Sequence, residues 1–253
     1  MYSAPTLRTF LLPLILLTML ISALLQAAPV QNLDTLTRTH RLIEHLSRER
    51  GMSIMLIARY SEGTARSLSS QRRLVDDAAN ACGDAATAET LKSLRRRVDA
   101  RDAGSGSGFD ALVNRLLEGV NTAYGGGRYG TYTAFLTSRA AVEQLRDAVT
   151  PYLIAGRPLD AKTQQTLQTL SRKTGTPDYS RLDDRHLKTR LDDIFANEDS
   201  QELGEDVTAE LNNVRTGAAS GRYPVTFEVF FVTLSERSNE LDRALQAILE
   251  SLH

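Results

Sequence analysis

Two arginines stand where the pattern of their neighbours calls for apolar side chains. Arg50, within HLSRERGMSIML at 45–56, shares a seven-residue spacing with Leu36, Ile43 and Ile57. Arg139, within FLTSRAAV at 135–142, falls on the three–four spacing of Tyr132, Phe135, Val142, Val149 and Leu153. Such spacing marks one face of a helix, so each arginine turns a permanent charge toward its own core. A guanidinium cannot shed its proton to escape burial, and leaving it unpaired inside a bundle costs several kcal/mol. Three arrangements meet that need. A carboxylate on a facing helix can pair with it, Asp76 and Glu143 being candidates, or the side chain can run along its methylenes to solvent. In the third, two cations converge on a space for a small exogenous anion, whose planar oxygens suit the arginine fork. At about 4 Å and an effective dielectric near 20, each such contact gains roughly 4 kcal/mol before desolvation. Small residues, Gly51 and Ala140, follow the two arginines and leave room for a second helix.

Other chemistry is thin. His45 and Glu49 lie one helical turn apart, but no second pair exists to complete a metal site, and His40, His186 and His253 are scattered. The single cysteine, Cys82, excludes an internal disulfide and a cysteine-based zinc cluster. GGGRYG at 125–130 has the outline of a dinucleotide-binding loop, yet no strand pattern precedes it, so it is a linker. Arg95-Arg96-Arg97 is followed by Asp99 and Asp102, an ordinary charged surface. No carboxylates are paired in a way that asks for acid–base catalysis. The expectation is therefore no enzyme, no cofactor and no metal. Lys and Arg total 30 against 31 Asp and Glu, a net charge of −1, which gives no basic excess for a nucleic-acid partner.

The elements that must position the two arginines are helical almost throughout, since strand patterns are missing after Val30. The first helix runs from about Asp34 to Tyr60, and Leu68, Val75 and Ala79 mark the second. Leu91, Leu94 and Val98 mark the third, and Phe109 to Val120 the fourth. GSGSG at 104–108 is expected to be a flexible connection, and YGGGRYG at 124–130 the boundary between halves. A long fifth helix then ends at Ala155-Gly156-Arg157-Pro158, where Gly allows a left-handed cap. A sixth follows, then a seventh with a kink near Asn197, and a closing heptad from Phe227 to Leu252. About eight helices in two groups of four predict an all-α fold, two up-and-down four-helix bundles or one elongated double bundle, with halves at about 31–124 and 129–253. Residues 1–30 stand apart. Arg8 precedes a run from Thr9 to Leu33 without a charge, which fits a secretory signal or, at about 20 residues, an uncleaved membrane anchor. Either places the remainder outside the cytoplasm, periplasmic or facing the periplasm from the inner membrane.

Five segments in order carry a resemblance. SRERGMS at 47–53, SQRRLVDDA at 70–78, FLTSRAAVEQL at 135–145, AGRPLDAKTQQTLQTL at 155–170 and RYPVTFEVFFVTLSERSNELD at 222–242 resemble the nitrate- and nitrite-sensing (NIT) domain of bacterial signalling proteins. The likeness extends from about Leu33 to Leu252, with Phe227 in place of an expected tryptophan and Ser138 in place of a glutamate before the arginine. It implies a double four-helix bundle that binds nitrate or nitrite between its halves. By motif position it assigns the anion to Arg50 and Arg139, with Ser53, one turn on from Arg50, and Arg72, on the second helix, in supporting places. The expected protein is a non-catalytic sensor, attached to the membrane only if its N-terminal segment stays uncleaved, and compatible with a homodimer. No output module follows the last helix, so an unidentified signalling protein is the expected partner. A helical scaffold without a ligand, or a receptor for another small anion such as a carboxylate, are the alternatives.

Overall fold

Short polar side chains set most of the breaks between helices. Ser61, Asp84, Asp160, Asp184, Asn197 and Thr226 each accept a hydrogen bond from the backbone N–H three residues on, which satisfies a donor that the first helical turn leaves free. The computed structural model describes residues 33–253, and among these it holds nine α-helices. They are α1 (Leu33–Ala58), α2 (Glu62–Cys82), α3 (Ala85–Asp99), α4 (Ser105–Tyr124), α5 (Gly130–Ala155), α6 (Ala161–Leu170), α7 (Arg185–Phe195), α8 (Glu198–Gly217) and α9 (Phe227–Leu252). Short 3-10 turns at Gly127–Tyr129 and Ser171–Lys173 precede α5 and follow α6.

The first four helices alternate in direction. Gln71 donates to the His45 carbonyl, Arg95 pairs with Asp76, Arg115 donates to Thr87 and Arg50 pairs with Asp110, which closes a ring α2–α1, α3–α2, α4–α3 and α4–α1. In the second group α5 and α9 are antiparallel, joined by Arg139–Asp242, Ser238–Glu143 and Arg146–Ser235. The Leu159 N–H donates to the Ala218 carbonyl, which sets the end of α8 beside the start of α6. α7 and α8 continue one another across a break at Asn197, whose amide oxygen caps α8 while its NH2 group donates to the carbonyls of Asp193 and Ile194. The predicted kink is thus a true interruption, and among the described residues nine helices fill eight positions in two all-α bundles.

The bundles meet where α1 and α5 run parallel, side by side. His40 Nδ1 lies 3.0 Å from the Tyr132 hydroxyl at one level and Arg50 meets Asp147 at another. Both helices have 26 residues and bury Leu36, Ile43, Leu46, Phe135, Val142 and Val149 completely. α4 also lies on α5, with Gln144 donating to Asn114 over 2.6 Å. No helix of the described residues is long and apolar enough to cross a membrane, and the apolar run expected to be a signal or anchor lies outside them.

One expectation fails. GSGSG at 104–108 is not a flexible connection, because Ser105 already opens α4. These glycines serve close approach: a Cβ at Gly108 would fall 2.3 Å from the Leu94 side chain on α3, and one at Gly106 would touch Ile54 on α1 at 3.4 Å. Gly156, by contrast, does take the left-handed conformation (φ 56°) that its place after α5 predicts. Beside it Gly221, also left-handed at φ 72°, lies so near that a Cβ would meet the Arg157 backbone at 2.7 Å. Gly221→Ala should therefore destabilise the protein by about 2 kcal/mol or more, measured by urea unfolding, since neither its φ nor the opposing backbone can relax cheaply.

Candidate functional site

Arg50 is enclosed, its side chain 0% exposed. Its Nε donates to Asp147 Oδ2 on α5 over 2.7 Å and its Nη1 to Asp110 Oδ1 on α4 over 3.1 Å. Burial opposes its charge most strongly, but Asp147, Asp110 and Glu143 together more than offset this, so its pKa is raised. Gly51 is what lets α5 come this near: a Cβ there would stand 2.8 Å from Arg146 Nη2 and 3.3 Å from Asp147 Oδ1. Arg146 in turn donates to Asp147 Oδ1 over 2.8 Å and to the Ser235 hydroxyl over 3.0 Å, and its guanidinium lies over the Phe231 ring.

Arg139 is as deeply set, 1% exposed. Its Nη2 pairs with Glu143 Oε1, one turn along α5, at 3.1 Å, and its Nε forms an ion pair with Asp242 on α9. Of the arrangements open at the level of sequence, pairing with a protein carboxylate is realised for both arginines and escape to solvent for neither. Glu143 fills that role at Arg139, whereas Asp76 pairs with Arg95 instead of Arg50. Ser138, where the resemblance suggests glutamate, turns away from the arginines. Its hydroxyl lies 2.7 Å from the carbonyls of Lys173 and Gly175 and donates to that pair.

Because α1 and α5 are parallel, Arg50 stands level with Asp147 and Arg139 about 12 Å lower, at 1.5 Å per residue. Glu143 lies between and raises the pKa of both arginines. They are successive rungs of one buried ladder. Three arginines (50, 139 and 146) face four carboxylates (Asp110, Glu143, Asp147 and Asp242) along it.

The ladder nonetheless has donors to spare. Arg50 Nη2, Arg139 Nη1 and the hydroxyls of Ser47 and Ser53 are buried with no hydrogen-bond partner. Ser47, Arg50 and Ser53 repeat every three residues along one side of α1, and all three are 0% exposed. Glu143 Oε2 is a buried acceptor equally without a partner, but the four unmet donors outnumber it, and buried polar groups are nearly always satisfied, so an accepting guest would meet a need of this seam. Arg72 stands at one remove, half-buried, with Nη2 on Asp99 at 2.8 Å and Nε 3.7 Å from Glu49. Arg95 holds Glu49 through both carboxylate oxygens at 2.8 Å. This network braces α1 from the α2 and α3 side, one residue before Arg50.

Sequence reasoning missed Asp147, Asp110, Asp242 and Arg146. Asp147 could have been found, since it follows Arg139 and Glu143 at intervals of four on the same helix. Asp110 and Asp242 reach the ladder only through tertiary packing.

Two titrating groups border it. His40 is fully buried, bonded to Tyr132 and 3.4 Å from Gln246, and burial, with Arg139 next, lowers its pKa to about 3. Burial raises the Asp242 carboxyl to about 6 even though Arg139 pulls the other way. Burial also raises Asp110, against the pull of Arg50.

Fold and site together define an all-helical double bundle with an arginine–carboxylate ladder in its seam. Residues 41–253 match the family described as nitrate and nitrite sensing, NIT, and the chain belongs to that family. The structure also resembles that of the NasR transcription antiterminator, with a TM-score of 0.68 over 88% of this chain and 67% of that one. At 17% identity this is a likeness of fold. No curated protein matches the chain.

His40 and Asp242 act on stability in opposite senses. A histidine whose folded pKa lies below the unfolded 6.5 contributes stability that is complete above 6.5 and lost as pH falls toward 3. An aspartate raised from 3.8 to about 6 contributes stability that is present below 3.8 and lost as pH rises through 6. Replacing His40 by Gln removes the first contribution. The unfolding free energy of His40→Gln relative to the parent should improve by up to about 1.4 kcal/mol for each pH unit below 6.5. Urea titrations over that range measure the slope, and a flat difference would show that His40 is not held neutral.

Proposed function

We propose that the protein binds nitrate or nitrite in the seam between α1 and α5, at Arg50 and Arg139, and reports its presence to a separate signalling protein. The observation that carries this is the set of buried donors without acceptors: one guanidinium nitrogen on each arginine and the hydroxyls of Ser47 and Ser53. Membership of the nitrate and nitrite sensing family supports it. A small planar anion with oxygens on its edge accepts from such donors without needing a proton or a donor of its own. Low charge matters too, since a divalent guest would enter a ladder where carboxylates already outnumber arginines. Ser53 belongs to this site through its place one turn from Arg50, and Arg72 supports it by holding Glu49 beside that arginine.

Sensing then needs only that the anion favour one arrangement of α1, α5 and α9 over another, by no more than its difference in affinity for the two. The charge-free run from Thr9 to Leu33 supports a place outside the cytoplasm, by export or by anchoring. A second reading, another monovalent oxyanion such as formate, is favoured by the fact that both arginines already accept a carboxylate.

Calorimetry and thermal stabilisation with nitrate, nitrite, formate and acetate, on the full-length chain, test these readings. Nitrate or nitrite should bind, and Arg50→Lys and Arg139→Lys should each weaken binding at least about tenfold, because lysine keeps the charge and loses the planar fork. Binding of formate or acetate alone would move the assignment to the second reading. Heat-stable, folded protein that responds to none of the four would leave a helical interaction module.

A further inference from the structure

The ladder is short of positive charge, and this constrains how an anion can enter it. With four carboxylates facing three arginines, a guest adds a second uncompensated negative charge to a buried seam. Burial of charge without compensation costs several kcal/mol, so one carboxylate must leave or be neutralised. The four are not equally replaceable. Asp147 is 2% exposed and held on both oxygens, by Arg50 and by Arg146. Glu143 is 3% exposed and receives Arg139 and the Ser238 hydroxyl on one oxygen. Asp110 is 41% exposed and can swing into solvent with its charge intact. Asp242 is different again: its one ion-pair partner is Arg139, and at 17% exposure it touches solvent without room to leave.

The charged and titratable groups around Asp242 are Arg139, Glu143 and Tyr132 on α5 and Glu44 and Arg48 on α1. Arg48 is already engaged by Glu44 at 2.8 Å and acts on Asp242 only through space, so Arg139 is its main counter-charge and its ion-pair partner, and Glu143 competes for it. A carboxylate and a nitrite or nitrate edge also present the same object to a guanidinium, two oxygens on one planar centre.

Resting on the anion reading above, we infer that Asp242 is an internal stand-in for the ligand: it occupies Arg139 when the site is empty, and an incoming monovalent oxyanion takes its place as the carboxylate picks up one proton from solvent. Charge balances in this exchange. One negative charge enters with the anion, one is removed by the proton, and Arg139 trades one oxygen acceptor for another. Burial holds the Asp242 carboxyl at about 6, so the proton is available within a physiological range. The protein is thereby a sensor of anion and acidity together, and its apparent affinity is the intrinsic one scaled by the fraction of Asp242 that is protonated.

Calorimetric titration of the full-length protein with sodium nitrite and sodium nitrate, from about pH 7.5 to pH 5.5, tests this. Affinity should rise close to tenfold per pH unit above 6 and level off below it, with about one proton taken up per anion at pH 7.5 and progressively less toward pH 5.5, seen as a binding enthalpy that tracks the ionisation enthalpy of the buffer. Asp242→Asn should bind about 30-fold more tightly than the parent at pH 7.5, with no proton uptake and a flat pH profile. Proton uptake by the parent protein stands as evidence even where the variant does not fold. Binding without proton uptake, or an Asp242→Asn variant that is folded and binds no more tightly than the parent, overturns the inference and leaves the anion site in place. Absence of binding by the parent at every pH overturns the anion site and the inference with it.

Discussion

Arg50 and Arg139 keep their charge at every accessible pH, and their place inside a helical seam dictates what surrounds them. Each must be met by carboxylates, which is why Asp147 and Glu143 project from α5, Asp110 from α4 and Asp242 from α9. Those partners in turn fix which helices touch. α5 lies in the middle because it supplies two of the four acids and two of the three arginines, and Gly51 is small because Arg146 and Asp147 need the space. An apolar seam of the same volume would be no less stable, since pairing rarely recovers the full desolvation of both ions. The charges are therefore no source of stability in themselves, and the proposed anion site would give them a use.

The fold was largely legible in the chain because its signals are local. Heptad and three–four spacings locate the long helices, and Gly156 announces its own left-handed cap. Asn197 announces a kink, though the spacing on either side could not show that its side chain starts a new helix. GSGSG misled for a physical reason. Glycine in sequence signals freedom, but at 106 and 108 it is the room that Ile54 and Leu94 require, and only the packed neighbours reveal that.

The site was half legible. A charge on an apolar stripe is visible without coordinates, and so is the acid four residues after Arg139. What answers Arg50 was not, because Asp110 and Asp147 come from positions 60 and 97 residues away. The separation of the two arginines was hidden as well. Matching places in two halves suggest that they face each other, whereas parallel packing of α1 and α5 stacks them along one axis with Glu143 between. Arg72 shows the same limit: a cation near the apolar side of α2 that serves Glu49 on α1 and Asp99 at the end of α3.

α9 meets the first helix and its end near both of its own ends, through Gln246 with His40 on α1 and Glu228 with Arg59 just beyond α1, while its middle carries Ser238 and Asp242 onto α5. A continuous helix of 26 residues behaves as a stiff rod of about 39 Å. Any lengthwise slip at its centre therefore reappears undiminished at its tips. The polar fastenings to α1 there are an exposed ion pair at 3.5 Å and a 3.4 Å contact to a buried imidazole, while Glu250 near the C-terminal tip pairs with Arg190 on α7 at 2.6 Å. Such mounting would carry a displacement of the rod's middle to both of its ends at once.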